Sequence, residues 1–116
     1  MTSSAFALTA IIPAQNFRIT LGEAVRGGLQ QGGGGHFFCD FCKTWVFTRP
    51  DDAPVVNVRP TLFENARWSA PFIEVFTSEK LPWAVTSARH SFARFPDWSE
   101  FPNLTAAFAE QVAADG

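Results

Sequence analysis

Two cysteines three residues apart, Cys39 and Cys42, sit between two short runs of strand-forming residues, and this arrangement constrains the fold more than any other feature of the chain. His36-Phe37-Phe38-Cys39 precedes the pair and Trp45-Val46-Phe47 follows it. Aromatic and β-branched residues of this kind fit a pleated, half-buried surface. The spacing predicts a β-hairpin with the cysteines at its tip, and Arg49-Pro50-Asp51-Asp52 turns the chain beyond it. Two thiolates in a tight turn can hold one face of a Zn²⁺, with each sulfur about 2.3 Å from the metal. They are too close in sequence for an ordinary structural disulfide. Cys39 and Cys42 are the only cysteines, so the second pair of a zinc ribbon is missing and half of a tetrahedral site is visible. On spacing alone, a bound metal and two reduced thiols both stay open. A thioredoxin-like redox role would want a strand leading into a helix that begins at the cysteines, whereas the flanks here read as strands.

Neither histidine completes the set. His36 stands three residues before Cys39, which in an extended segment places the two on opposite faces. His90 lies among residues that are not ligand types, and reads as a surface or satisfied core side chain.

Most other elements are extended as well. Residues 5–12 form an apolar run stopped by Pro13, as expected for a buried strand ending at Ile12. Phe17-Arg18-Ile19-Thr20-Leu21 alternates apolar and polar, which predicts a half-buried strand. Residues 27–35 contain six glycines without a Gly-Lys-Ser or Gly-Lys-Thr, which predicts a mobile hairpin loop rather than a phosphate cradle. Val55-Val56-Asn57-Val58 before Pro60, and Phe72-Ile73-Glu74-Val75-Phe76 after Pro71, are further strands. Phe92, Phe95, Trp98 and Phe101, interrupted by Pro96, predict an irregular wrap with a helical turn whose rings cover the sheet. Leu104, Ala107, Phe108, Gln111 and Val112 recur at helical spacing, with Asn103 as the expected N-cap. The fold class expected is mainly β, with a short C-terminal helix.

Nine Lys and Arg against eleven Asp and Glu leave a formal charge of -2, which offers no basic footprint for nucleic acid or an anionic membrane. No apolar run approaches a membrane span, and a cytoplasmic protein is expected. Thirteen Phe, four Trp and no Tyr provide buried area with few polar handles, so the rings read as core.

The order Ser4-Ala5-Phe6-Ala7-Leu8-Thr9-Ala10, then Pro13, Phe17 and Gly22, then Phe38-Cys39-Asp40-Phe41-Cys42, is similar to the glutathione-dependent formaldehyde-activating enzyme (GFA) family, whose domain centromere protein V shares. The similarity continues through Val58-Arg59-Pro60-Thr61-Leu62-Phe63 and through Pro71, Lys80 and Trp83, and covers about residues 3–98. It implies an Mss4-like zinc-binding β-sheet fold and a carbon–sulfur lyase activity of the S-(hydroxymethyl)glutathione synthase kind, with a glutathione-type thiol as substrate. Cys39 and Cys42 match one pair of the family's structural zinc site. The early Cys-x-Cys and the catalytic cysteine cluster, which in the family directly precede the Ser-Ala-Phe segment, have no counterpart in this chain.

On this resemblance residues 1–116 are expected to form one N-terminally incomplete domain, with Met1 an internal methionine of a longer product, and to be inactive as they stand. The alternative is a non-catalytic interaction module that keeps the fold and dimerises through its open sheet edges. Two departures stand out: Lys43 occupies a position where the family's knuckle usually has Gly, and Glu74 one where many members have His. The first is expected to strain the turn and the second to alter the pocket. Lys80 and Trp83 are candidates for ligand contact, against the plainer roles of exposed charge and core ring.

Overall fold

The structure, a computed structural model, describes residues 2–28 and 34–115. It is mainly β, with seven strands and one α-helix among the described residues. The chain divides into two compact units, one made of Met1–Ser3 and Ala7–Ala66, the other of Ser4–Phe6 and Arg67–Gly116.

The first unit is a five-stranded antiparallel sheet. Its strands are β1 (Ala10–Pro13), β2 (Ala24–Gly27), β3 (Gly35–Cys39), β4 (Trp45–Arg49) and β5 (Val55–Val58), in the spatial order β1-β5-β4-β3-β2. Because side chains alternate along a strand, Val56 and Val58 share a face with Phe47, which lies opposite Val58. These three are the buried centre, and Ala10, Ile12, Phe17 and Phe37 pack against them. The Phe47 ring is 4.9 Å from that of Phe37 and 4.7 Å from that of Phe17. Between Phe37 and Phe38 the β3–β4 pairing shifts so that Phe38 faces Trp45, which leaves Val46 as the extra residue of a bulge. Trp45 then joins His36, Phe38 and Thr48 on the face away from the core.

The predicted hairpin strands and the strand at Val55 are present. The first strand is shorter than expected: it begins at Ala10, because the partner offered by β5 is only four residues long. Pro13 closes it, which an edge strand tolerates because no neighbour needs its missing N–H. The strand predicted at residues 17–21 does not form. Phe17 inserts against Phe47, but Ile19 is 49% and Leu21 93% exposed, since among the described residues no strand lies alongside to pair them. Pairing goes instead to β2, a run with one β-branched residue. Gly27 opposite His36 shows that β2 and β3 make a hairpin around the glycine-rich segment, whose residues 29–33 lie outside the described ones.

The second unit joins β6 (Ile73–Glu74) and β7 (His90–Ser91) in parallel and ends in α1 (Phe101–Asp115). The strand expected over residues 72–76 shrinks to two residues, because Phe76 turns left-handed (φ 55°) and leads into a 3₁₀ turn at Thr77–Glu79. Phe72 is buried with its ring 5.5 Å from Phe108 and 5.1 Å from His90. All five residues of the predicted helical stripe are half-buried. The expected cap at Asn103 is corrected: Asn103 lies inside α1, and Asp97 accepts a hydrogen bond from the Ser99 N–H (2.9 Å) to start a 3₁₀ turn that runs into the helix. Pro102 fits there because the first turn of a helix has no carbonyl partner for its N–H. Phe95, Trp98 and Phe101 pack on one another at 4.6–5.6 Å.

Candidate functional site

The cysteine turn is built by the hairpin ladder that flanks it. The Cys39 N–H donates to the Thr44 carbonyl (2.9 Å) and the Lys43 N–H to the Cys39 carbonyl (2.8 Å), so residues 40–43 are closed from both sides. Lys43 adopts a left-handed conformation (φ 62°). That conformation costs a residue with a Cβ about 1–2 kcal/mol, which is the strain anticipated for a lysine at this position. The Lys43 ammonium is 2.9 Å from the Asp40 carboxylate, across the outside of the turn. This pair is exposed and adds little stability.

Both cysteines are free thiols, Cys39 half-buried and Cys42 exposed. The Cys42 thiol donates to Thr44 Oγ1 at 3.2 Å. When Cys42 ionises, the Thr44 hydroxyl and backbone N–H both support the anion and the Cys39 thiol adds to them, which holds the Cys42 thiol below its usual range. Thr44 is a contributor that the sequence reading passed over; a hydroxyl two residues after the second cysteine was its signal.

Cys39 pairs opposite Ala24, while His36 lies opposite Gly27. The imidazole of His36 is engaged elsewhere, with Nδ1 2.9 Å from Thr48 Oγ1 and the ring edge-on to Trp45 at 5.5 Å. Trp45 Nε1 donates to the same hydroxyl (3.2 Å), and the Arg59 guanidinium lies 4.3 Å above the Trp45 ring. Partial burial pushes that guanidinium down from its ordinary value, and it donates to Thr9 Oγ1 (3.2 Å). His90 packs against Phe72. Among the described residues no group of three or more His, Cys, Asp or Glu side chains is gathered to hold a metal. Cys39 and Cys42 therefore offer two of the four ligands of a structural zinc and do not by themselves fit a closed site.

The second unit gathers polar groups around Glu74. Its carboxylate accepts from Ser91 Oγ (2.7 Å) and Thr86 Oγ1 (2.8 Å), and Lys80 Nζ lies 3.7 Å away. These hydroxyl hydrogen bonds, Ser91's first, and the nearby ammonium hold the Glu74 carboxyl below the usual range. Lys80 is thus brought to Glu74 as an ion-pair partner. Trp83 is 70% exposed, which corrects the core-ring role expected of it.

Glu74 ties the loop that bears Thr86 to the parallel bridge, so its charge contributes to folding. An unperturbed Glu ionises at about pH 4.3. Because the folded carboxyl ionises lower, its stabilisation is present above that value and is lost as pH falls through the folded one. Asp97, held low by the Ser99 N–H, acts in the same direction. Acid unfolding followed by circular dichroism is expected to show a steeper loss for the wild type than for Glu74→Gln, which keeps the shape and lacks the titration. Parallel acid limbs for the two proteins would remove Glu74 from this role.

No helix among the described residues is long and apolar enough to cross a membrane. No protein-family model matches the chain, and neither a curated protein nor a solved structure does.

Proposed function

We propose that this chain is a GFA-like β module of the Mss4-like kind, in which Cys39 and Cys42 supply half of a structural zinc site. The observation that supports this reading most is the left-handed Lys43 directly after the second cysteine. The family has Gly there, and Gly is the residue that takes such a conformation without cost. The remaining two ligands come from outside this chain, since no further cysteine exists in it and neither histidine is beside the pair.

The family's carbon–sulfur chemistry needs a second zinc with an open position for the thiolate of a glutathione-type substrate. Both cysteines are already in the turn, so the chain on its own has no ligand set for that role and is a non-catalytic module in a reducing, cytoplasmic setting.

A homodimer is the second part of the proposal. The outer edges of β1 and β2 have no strand partner among the described residues, and an unpaired edge invites a second chain. At the cysteine turn Phe41 is 96% exposed, an apolar side chain placed where two turns of a two-fold dimer would meet. Two such turns supply four thiolates.

Metal analysis combined with sedimentation equilibrium tests both parts. The expected result is a dimer holding about half a zinc per chain, lost in Cys39→Ser and Cys42→Ser. Incubation with formaldehyde and glutathione is expected to give no adduct above the uncatalysed rate. A monomer without zinc would overturn the metal and dimer readings together, and catalysed adduct formation would overturn the non-catalytic one.

A further inference from the structure

We propose that the zinc-free turn is a thiol–disulfide exchange site for low-molecular-weight disulfides, with Cys42 as the attacking sulfur and Cys39 as the resolving one. The inference rests on the turn and not on the zinc reading.

Two features of geometry support it. First, Cys39 and Cys42 lie in one turn, which the Lys43 N–H closes by donating to the Cys39 carbonyl (2.8 Å). A single turn of chain is the scale on which a disulfide closes, since its Cα atoms stand roughly 4.4–6.8 Å apart. Second, the two sulfurs differ in access. Cys42 is exposed at the tip, where an incoming disulfide can line up with it, whereas Cys39 is half-buried at the end of β3 and its N–H is tied to Thr44. Exchange proceeds by attack of an accessible thiolate, followed by a second thiol that need reach only the first sulfur.

The surroundings suit a small peptide disulfide such as glutathione disulfide. Phe41, 96% exposed, offers an apolar face beside Cys42. The exposed Lys43 ammonium, 2.9 Å from Asp40, can exchange that partner for a substrate carboxylate.

The steps balance without a further oxidant. The Cys42 thiolate attacks one sulfur of RS–SR, forming Cys42–S–S–R and expelling RS⁻, which takes up a proton. The Cys39 thiolate then attacks Cys42 Sγ, closing the Cys39–Cys42 disulfide and expelling the second RS⁻. The protein loses two hydrogens, and the disulfide is reduced to two RSH.

The test uses the full chain, stripped of metal by a chelator and then exposed to glutathione disulfide. Wild type is expected to convert to a species lighter by two hydrogens, with Cys39 and Cys42 joined in its peptide map. Cys39→Ser is expected to accumulate a one-glutathione adduct on Cys42, and Cys42→Ser is expected to carry far less on Cys39. Wild-type mapping does not depend on how either variant folds. A wild type that stays reduced, or forms only interchain disulfides, overturns the proposal, and so does equal adduct formation on the two single variants. Because zinc is absent throughout, these outcomes are separate from those of the metal analysis.

Discussion

Phe47→Ala is expected to leave the five-stranded sheet barely folded at room temperature. Phe47 is 3% exposed and stacks on Phe37 at an interplanar angle of 10° and a ring separation of 4.9 Å, with Phe17 at 4.7 Å on another side. Truncating a buried Phe costs about 3–5 kcal/mol, because the lost transfer free energy is joined by that of an incompletely collapsed cavity. Collapse is hard here. The facing Val56 and Val58 are fixed in β5, and both are buried already. The Arg49 guanidinium, 5.5 Å from the Phe17 ring and 5.8 Å from that of Phe47, also loses part of its aromatic seat. Domains of this size are stable by only about 5–15 kcal/mol, so one substitution removes a large share. Urea unfolding followed by far-ultraviolet circular dichroism reads the change, with Leu21→Ala as a control expected to fall within about 0.5 kcal/mol of wild type. A loss below about 1 kcal/mol for Phe47→Ala would mean that the sheet's stability does not run through this ring.

The parts of this architecture that the sequence made legible are those where one strand's own pattern decides the outcome. The hairpin β3–β4 is such a case, since its aromatic and β-branched residues flank a turn on both sides and need no distant partner to announce themselves. The helical stripe from Leu104 to Val112 is another, because its spacing of three and four determines which face is covered. Where pairing decides, the pattern failed. Phe17-Arg18-Ile19-Thr20-Leu21 alternates well, yet no strand among the described residues lies beside it, while Ala24-Val25-Arg26-Gly27 alternates poorly and is a strand because β3 is available to it. The same limit shortened the strand at Phe72, where a left-handed Phe76 ended a run that composition would have continued.

The candidate site divides along the same line. Cys39, Cys42 and the strain at Lys43 were legible because they are neighbours in sequence. The grouping of Glu74 with Thr86, Ser91 and Lys80 was not, since it joins residues 6 to 17 positions apart through a parallel bridge of two residues on each side. Nor was the tie of His36 to Thr48, which follows from the hairpin register. Thr44 lay between these cases, near enough in sequence to be seen and without a motif to mark it.

Gly34→Ala is expected to cost more than the same change at Gly22, although both glycines have positive φ. Gly22 (φ +80°) has open space where a Cβ would go. Its substitution should cost only the backbone preference, about 1–2 kcal/mol. At Gly34 (φ +98°) a Cβ would lie 2.5 Å from the Arg49 carbonyl oxygen and 2.9 Å from Pro50 Cα. Both are backbone atoms, so no rotamer change relieves the clash and the end of the β3–β4 ladder has to move. The Gly35–Arg49 pair is the first to open, and with it the hydrogen bond from the Arg26 guanidinium to the Gly34 carbonyl (3.0 Å). Adding that rearrangement to the φ strain gives an expected loss above about 3 kcal/mol. The loosened hairpin carries the cysteine turn at its other end, so half-buried Cys39 should be alkylated faster in Gly34→Ala than in wild type, while exposed Cys42 should change little. Urea midpoints for the two glycine variants, read with the alkylation rates of both cysteines, check the argument. Equal midpoints would show that the Arg49–Pro50 backbone gives way easily. Unequal midpoints with an unchanged Cys39 rate would confine the damage to the far end of the hairpin and leave the cysteine turn as a locally self-supporting structure.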